Sequence, residues 1–298
     1  MAPSADLSGR EALVTGASGG IGYQMARGLA RAGARVWMAS RPGGRGARAA
    51  EAIRAEVGRE DAAVYVPADL SVLAEVRDLA ERVAAEVPCL DVLVNNAGRF
   101  VQRRTLTADG FEMTWALNHL APFLTTHLLM RSLRAAEAPR VITTSSNAER
   151  SGGALDLDRA ANGVPYSAWR AYGWSKQANV HFARELARRT EGTGLRSYAF
   201  HPGFVRSGFA RDGGATGWVV ALAQRLFGRS AERGAETGLW LAALEPAPEP
   251  NGGFFVDHAA RTPSPAGRDA EMAAELWARS EAWVGLRPEE RLPAPDRR

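Results

Sequence analysis

The sequence contains few cysteine and lysine residues. The low cysteine content excludes some classes of protein, and the low lysine content draws attention to one position. Cys89 is the only cysteine in 298 residues, so no disulfide can form within the chain. This is typical of proteins in a reducing compartment, and we expect a cytoplasmic location. Lysine occurs once, as Lys176, among 37 lysine and arginine residues, which singles out that position.

Long apolar runs and a strong net charge are also missing. No stretch approaches the roughly 18 apolar residues of a membrane span, and the first apolar run, residues 12–14, is too short for a signal peptide. The formal net charge is only +4 without a basic block, which argues against a nucleic-acid partner. No spacing of histidine, cysteine and acidic residues predicts a metal site. These absences leave a small molecule as the expected partner.

Short apolar runs alternate with longer amphipathic stretches, which predicts an α/β protein. Continuous apolar strands are typical of a sheet covered on both faces. The alternation favours a doubly wound parallel sheet of the Rossmann type, with seven strands flanked by helices in a single domain over residues 1–298. The predicted strands are residues 12–15, 35–40, 63–67, 92–95, 141–145, 196–200 and 253–256. The predicted helices are residues 20–32, 45–57, 72–87, 110–133, 169–189 and 231–244.

Two segments depart from this alternation. Residues 207–229 are first Gly-rich and then amphipathic, and they follow a strand end, so they could form a lid over a substrate site. The alternative is a surface helix packed on the core. Residues 287–298 contain three prolines and many charges and are predicted to form a flexible tail.

A glycine-rich turn joins the first predicted strand to the first predicted helix. Residues 15–22 read Thr-Gly-Ala-Ser-Gly-Gly-Ile-Gly. Free N–H groups at a helix N-terminus favour a pyrophosphate, and glycines let the phosphate approach the backbone. The spacing Gly16, Gly20, Gly22 differs from the usual G-x-G-x-x-G, but the strand before and the helix after support a dinucleotide site.

The end of the second predicted strand indicates which dinucleotide binds. An acidic residue there would hold a ribose 2′-hydroxyl, but the sequence has Ser40 and Arg41 instead. Because a guanidinium can pair with a 2′-phosphate, NADP(H) is favoured over NAD(H), with Arg45 and Arg48 close by. Asp69, after the third strand, could contact the adenine or could cap the following helix.

Tyr172 and Lys176 are the main candidates for proton transfer. Residues i and i+4 share one face of a helix, so the phenol and the ammonium face the same cleft. A nearby positive charge lowers a tyrosine pKa, which lets the phenol exchange a proton near neutral pH. Ser146, at the end of the fifth strand, could orient a substrate oxygen. The alternative is structural, with the tyrosine in the core and the lysine extending to the surface. A single lysine in so arginine-rich a chain favours the catalytic interpretation.

Together these motifs resemble those of the short-chain dehydrogenase/reductase family, and they stand in the family's order along nearly the whole chain. The matching segments are residues 15–22, Asp69-Leu70, Asn95-Asn96-Ala97-Gly98, Asn118, Ser145-Ser146, Tyr172-x-x-Ser175-Lys176 and His201-Pro202-Gly203. Finer features, including residues 118–124 and the Ser40-Arg41 pair, are similar to the retinol-dehydrogenase-like branch.

The resemblance implies roles for individual residues. Tyr172 would be the general acid/base, Lys176 would lower its pKa and bind the nicotinamide ribose, Ser146 would position the substrate, and Asn118 would support a proton-relay water. The predicted NADP(H)-binding residues are Gly16, Ser18, Gly19, Gly20, Ile21, Gly22, Ser40, Arg41, Arg45, Asp69, Leu70, Asn95, Asn96, Ala97, Gly98, Tyr172, Lys176, Pro202, Gly203 and Val205. A homo-dimer or tetramer is a further expectation, because relatives often pair through the helix that carries the tyrosine.

The sequence therefore predicts an NADP(H)-dependent oxidoreductase that transfers a hydride between the nicotinamide and a carbonyl or alcohol of a lipophilic small molecule. Two alternatives stay open. A lyase, isomerase or cyclase acting on a secondary metabolite could use the same acid/base without net redox chemistry. A non-catalytic NADP(H) sensor could keep the cofactor site alone.

Overall fold

A single mixed sheet organises the protein. The computed structural model describes residues 6–205 and 229–294. Within these residues the sheet has eight strands in the order β3-β2-β1-β4-β5-β6-β7-β8, all parallel except β8. The strands are β1 Glu11–Thr15, β2 Arg35–Ser40, β3 Ala63–Pro67, β4 Val92–Asn95, β5 Arg140–Thr144, β6 Arg196–His201, β7 Phe254–Val256 and β8 Ala259–Arg261.

Helices follow most strands and cover both faces of the sheet, as the alternating pattern predicts. The main helices are α1 Gly20–Arg31, α2 Gly44–Val57, α3 Leu73–Glu86, α4 Met113–Trp115, α5 Ala121–Leu128, α6 Met130–Ala135, α7 Leu157–Asn162, α8 Ala168–Arg189, α9 Ala231–Ala243 and α10 Ala270–Trp283. The doubly wound α/β prediction is confirmed.

The eighth strand is the one addition to the predicted sheet. It runs antiparallel to β7 through a two-residue turn at Asp257 and His258, whose φ angles are 50° and 62°. Positive φ at both central residues is the geometry of the tight hairpin turns that match strand twist. Asp and His adopt it more readily than bulky residues, but they are a weaker sequence signal than Asn-Gly, so the hairpin was not predicted.

Two apolar cores lie on opposite faces of the sheet. One contains Met25, Leu29 and Ile53 from α1 and α2 together with Leu241 from α9. The other is larger and contains residues of α3, α5, α8 and α10, among them Phe123, Phe182, Leu276 and Trp277. Burying both faces fixes the parallel sheet and leaves the carboxyl ends of the strands as the open edge.

The predicted helix over residues 110–133 is interrupted in the structure. It begins only at Met113, passes through a π-helical turn at Ala116–Leu120, and continues as α5 and α6. Apolar periodicity continues through such a turn, so the pattern does not reveal it. π-helical turns are often found at functional sites, and this one contains Asn118.

The C-terminal region is more ordered than the sequence predicts. Helix α10, which was not predicted, packs across α8. Within the predicted flexible tail, Leu292 is buried and Glu290 pairs with Arg77 of α3 at 3.0 Å. The predicted lid, residues 207–229, lies outside the described residues except for Arg229. None of the helices in the described ranges is long and apolar enough to cross a membrane.

Candidate active site

The strand order places a crevice between β1 and β4. The chain runs outward from β1 through β2 to β3, and it then crosses back to β4 on the other side of β1. In open α/β sheets, ligands bind at the carboxyl ends of the strands where the order reverses in this way. The glycine-rich turn follows β1 and residues 95–98 follow β4, so both predicted segments line this crevice.

Hydrogen bonds tie these two segments together. The Thr15 hydroxyl oxygen accepts from the backbone N–H groups of Asn96 at 3.0 Å and Ala97 at 3.1 Å. In return, Asn96 Nδ2 donates to the Thr15 carbonyl oxygen at 3.0 Å. The base of the crevice is therefore rigid before any ligand binds.

The glycines of the turn divide into two kinds. A Cβ at Gly16 would come within 2.9 Å of Ala97 Cα, and one at Gly22 would come within 2.5 Å of the Gly16 carbonyl oxygen. Gly19 and Gly20 instead face open space, with nothing within 4 Å of an added Cβ. Close packing thus requires glycine at positions 16 and 22, whereas Gly19 and Gly20 form an open cradle.

The cradle fits a pyrophosphate. Helix α1 begins at Gly20 without a side-chain cap and without an acidic residue in its first turn. Its first backbone N–H groups and the positive end of its dipole therefore face the open side of the turn. An anionic group is the chemistry that this arrangement stabilises.

The end of β2 carries the predicted ribose-phosphate residues. Ser40 is buried with its hydroxyl unpartnered among the described residues, and it lies against Gly46 of α2. Arg41 and Arg45 are exposed, and neither pairs with a carboxylate of the described residues. The Tyr65 hydroxyl donates to the Arg41 carbonyl at 3.0 Å and so holds the turn in place. The two guanidinium groups can therefore meet a phosphate.

Asp69 forms a local turn and does not cap the next helix with its side chain. Its Oδ1 accepts from the backbone N–H of Ser71 at 3.0 Å and from the Ser71 hydroxyl at 2.7 Å. The first N–H of α3, at Leu73, is bound by Asp109 instead. Asp69 and the buried Leu70 therefore shape the loop at the outer end of the crevice.

The carboxyl end of β5 is joined to α8 around Lys176. The Lys176 ammonium donates to the Thr144 carbonyl at 3.0 Å, and the Ser145 hydroxyl donates to the Lys176 carbonyl at 2.7 Å. The lysine is 3% exposed, and burial lowers its pKa to about 8. The ammonium is thus fixed below the crevice. The structural alternative required it to extend to the surface, and it does not.

Tyr172 lies next to this ammonium, as the i, i+4 spacing predicts. The Lys176 nitrogen is 5.5 Å from the centre of the Tyr172 ring. Burial raises the pKa of the phenol above its usual value, and a hydrogen bond with Ser146 acts in the opposite direction. Ser146 also accepts from the backbone N–H of Ala148 at 3.2 Å, which fixes its side chain at the start of a 3-10 turn. The sequence predicts that the lysine lowers the pKa of Tyr172. In the protein without bound cofactor, the effect of burial is larger, and the pKa is raised.

Asn118 connects the loop after β4 to α8. Its Oδ1 accepts from the backbone N–H of Arg99 at 2.8 Å, and its Nδ2 donates to the Arg99 carbonyl and to the Ser175 hydroxyl, both at 3.0 Å. Ser175 in turn donates to the Tyr172 carbonyl at 2.8 Å. The side chain of Asn118 therefore holds the walls of the site together.

The remaining predicted residues enclose the crevice. A Cβ on Gly98 would lie 3.2 Å from Asn118 Oδ1 and 3.4 Å from the Lys176 nitrogen, so the backbone passes close to both. Beyond β6, Pro202 and Gly203 lead to Val205, which is buried. Position 234 has room only for glycine, because a Cβ added to Gly234 would lie 2.7 Å from Val205 and 3.4 Å from Ile21. Asn95 is buried and donates to Thr126 at 3.0 Å.

Two aromatic residues beside Tyr172 were not predicted. The Phe100 ring lies 5.8 Å from the Tyr172 ring and 4.9 Å from the Trp169 ring. Trp169 stands three residues before Tyr172 in α8, so helical spacing alone could have placed it near the phenol. Many aromatic residues of the described ranges fill the core, and nothing in the sequence marked Phe100 and Trp169 as different from these.

The crevice, the open glycine cradle and the grouping of Ser146 and Tyr172 with the buried Lys176 define a class of protein. Residues 10–216 match the family model for short chain dehydrogenase. The chain therefore belongs to the short-chain dehydrogenase/reductase family, whose members are oxidoreductases that use NAD(P)(H) and act on small molecules.

Three similar proteins show how widely this family resemblance extends. Retinol dehydrogenase 12 from Bos taurus is 39% identical over 284 residues, which cover 94% of this chain and 88% of the relative. A protein named "Putative daunorubicin C-13 ketoreductase DnrU" from Streptomyces sp. (strain C5) is 40% identical, covering 95% of both. The structure of a short chain dehydrogenase from Burkholderia cenocepacia J2315 in complex with NADP is 30% identical with a TM-score of 0.64, covering 80% of this chain and 93% of that one.

Proposed function

We propose that this protein is an NADP(H)-dependent carbonyl reductase acting on a lipophilic small molecule. The observation that carries the proposal is the arrangement at the carboxyl end of β5, where the Lys176 ammonium lies 5.5 Å from the Tyr172 ring and Ser146 bonds to the same phenol. A phenol, a hydroxyl and a buried ammonium on one side of a dinucleotide crevice form an acid/base site for a carbonyl oxygen.

The cofactor would occupy the crevice between β1 and β4. The pyrophosphate would lie on the cradle of Gly19 and Gly20, and the 2′-phosphate would meet Arg41 and Arg45. When bound, NADPH supplies the hydride for the carbonyl carbon. The similar Burkholderia structure contains NADP, which supports the choice of this dinucleotide.

Each catalytic residue has one task in this scheme. Ser146 donates a hydrogen bond to the carbonyl oxygen and orients it toward the phenol. Tyr172 gives its proton to that oxygen as the alcohol forms. Lys176 stabilises the phenolate left behind, because an adjacent cation favours the charged form. Asn118 acts as a positioning residue through its hydrogen bonds to Arg99 and Ser175. It would also support a relay water that returns a proton to Tyr172.

The protonation state favours reduction at neutral pH. Because burial raises its pKa, Tyr172 carries its proton at pH 7, which is the form that donates to a carbonyl. Alcohol oxidation needs the phenolate and should therefore become faster as the pH rises. The names of two relatives, a retinol dehydrogenase and a daunorubicin C-13 ketoreductase, support a lipophilic alcohol or ketone as the substrate.

The proposal is tested with purified protein, NADPH and a panel of lipophilic ketones and aldehydes. We expect NADPH absorbance to fall with at least one carbonyl and Tyr172→Phe to abolish this loss while cofactor affinity is retained. If NADPH binds but no carbonyl is reduced, the reductase proposal fails. Product formation without net NADPH consumption would identify the non-redox alternative instead.

A further inference from the structure

Exposed apolar side chains collect at one edge of the protein. Among the described residues, the large apolar side chains that are exposed are Leu106, Val164, Trp169 and Phe204. All four lie on connections that leave the carboxyl ends of β4, β5 and β6. Concentrated apolar exposure marks a binding surface, and here it surrounds the site already described.

At this edge the half-buried Phe100 contacts the exposed Trp169, and we call this pair of rings the aromatic shelf. Their ring centres are 4.9 Å apart with an interplanar angle of 58°. Trp169 is 58% exposed and is the one exposed tryptophan within the described ranges. Leaving so large a ring in water is costly unless a ligand covers it.

The aromatic shelf is attached to the catalytic residues on both sides. Trp169 is three residues before Tyr172, and residues i and i+3 lie on the same face of a helix. Phe100 contacts the Tyr172 ring edge-on at 5.8 Å, and its loop is held through Arg99 by the bonds to Asn118. The shelf and the phenol therefore keep a fixed separation.

We propose that the aromatic shelf binds a carbonyl substrate with flat, fused aromatic rings and directs its carbonyl oxygen to Tyr172. The proposal rests on the proposed reductase function and adds that Phe100 and Trp169 determine specificity. Ring systems gain from offset or edge-on contact with other rings beyond the area that they bury. A flexible alkyl chain gains only the buried area and also loses conformational freedom on binding.

A matched pair of methyl ketones tests this inference. 2-Acetylnaphthalene and 2-dodecanone have the same reacting group and the same number of carbon atoms, but only the first has fused rings. The quantity measured is the ratio of their kcat/KM values, compared between variants so that intrinsic reactivity cancels. Trp169→Leu, which keeps an apolar side chain without a ring, should lower the ratio about fivefold, as one aromatic contact of about 1 kcal/mol predicts.

Three further variants give the controls. Phe100→Leu should lower the ratio by a similar factor, and Trp169→Phe should largely restore it because a ring is retained. Leu106→Ala removes another exposed apolar side chain at this edge without removing a ring, so it should change both kcat/KM values by the same factor and leave their ratio as in the wild type. An unchanged ratio in both Trp169→Leu and Phe100→Leu, or an equal fall with Leu106→Ala, would overturn the shelf.

A binding measurement separates this inference from the proposed function. With NADP⁺ present, 2-acetylnaphthalene should quench tryptophan fluorescence, and its Kd should rise about fivefold in Phe100→Leu. Much of the quenching should disappear in Trp169→Phe, which lacks the exposed indole. If the wild type binds the ketone in this way but reduces no carbonyl, the reductase function fails and the shelf stands. Quenching that is the same in Trp169→Phe as in the wild type contradicts the shelf whatever the turnover.

Discussion

Around the carboxyl ends of β1 and β4, hydrogen bonds between backbone groups and small side chains hold the site together. Around the start of α8, the site is lined by aromatic rings, of which Trp169 is exposed. In the proposed function, the first region, residues 15–22 and 95–98, would bind the cofactor, and we call it the cofactor half. The second region, residues 99–106 and 147–172, would bind the substrate, and we call it the substrate half. In the first region, Thr15 accepts three hydrogen bonds of 3.0 to 3.1 Å, two from Asn96 and one from Ala97, which join the two loops.

The difference follows from what each half must bind. A phosphate needs backbone N–H groups in fixed positions, so the surrounding residues must be small and rigid. A lipophilic substrate is bound mainly through buried area, which many apolar side chains can supply. The cofactor half is therefore characteristic of the family, and the substrate half should carry what is particular to this protein.

The largest effect should come from Lys176→Arg, at the boundary between the halves. The longer, planar guanidinium does not fit where a 3% exposed ammonium donates to the Thr144 carbonyl, and it cannot occupy the place of the ammonium beside Tyr172. We expect kcat to fall about a hundredfold, the lower range for loss of acid/base assistance. Arg170→Lys, the reverse exchange at an exposed position on α8, is the control and should leave kcat unchanged. If Lys176→Arg kept more than half of the wild-type kcat, a positive charge of either shape would suffice beside Tyr172, and the prediction would be wrong.

The next effect is a loss of stability in acid, which should be larger for the helices behind the substrate half than for the cofactor half. Burial lowers the pKa of His119 to about 3 and of His127 and His181 to about 4. The unfolded chain takes up these protons near pH 6.5, so between pH 6.5 and about 4 it holds more protons than the folded chain and stability falls as the pH falls. Each histidine should cost about 2 kcal/mol of unfolding free energy by pH 5.

The measurement is the free energy of unfolding at pH 7 and pH 5 together with local hydrogen exchange. Protection should be lost first in α5, α8 and α10, because His119 bonds to Ser280 of α10 at 2.9 Å. His181→Leu should lessen the acid loss by about 2 kcal/mol. Acid that loosened α1 and α2 first would contradict the assignment, because the sequence has no histidine before residue 119.

A pair of glycine substitutions tests the rigidity of the cofactor half. Gly22→Ala places a Cβ 2.5 Å from the Gly16 carbonyl oxygen and should destabilise the protein by about 1 to 3 kcal/mol. Gly19→Ala meets nothing within 4 Å and should leave Tm unchanged, yet it should weaken NADPH binding because its methyl group occupies the cradle. Calorimetry and cofactor titration measure the two effects. Equal Tm values for both variants would contradict the division of the glycines.

The smallest predicted effect concerns the choice between dinucleotides. Arg41→Ala and Arg45→Ala should each raise the Kd of NADPH about tenfold and leave that of NADH nearly unchanged, because a charged hydrogen bond is worth about 1.5 kcal/mol. Arg131→Ala, at an exposed position on α6 with no predicted part in cofactor binding, is the control and should leave both Kd values unchanged. A parallel loss of affinity for both dinucleotides would mean that these arginines act on the fold and not on the 2′-phosphate.

The same comparison explains how far the sequence alone could lead. Gly16, Ser146, Tyr172 and Lys176 were predicted because several motifs stand in one order along the chain, a combination that is rare by chance although each motif alone is not. Trp169 was not, because an exposed ring that binds substrate and a buried ring that fills the core are identical in sequence, and only packing separates them. The π-helical turn at Ala116–Leu120 left the apolar pattern intact and so went unnoticed. Helix α10 was missed because only its packing on α8 shows which residues it buries.

Hydride transfer with Tyr172 as the proton donor is tested most directly with NADPH that carries deuterium at both hydrogen positions of nicotinamide C4. A ketone found in the panel is incubated with this cofactor and with either the wild type or Tyr172→Phe. We expect one deuterium in each alcohol molecule formed, one NADPH consumed for each, and a rate at least a hundredfold lower in the variant. Alcohol without deuterium, product without NADPH consumption, or an undiminished rate in Tyr172→Phe would contradict the proposed mechanism.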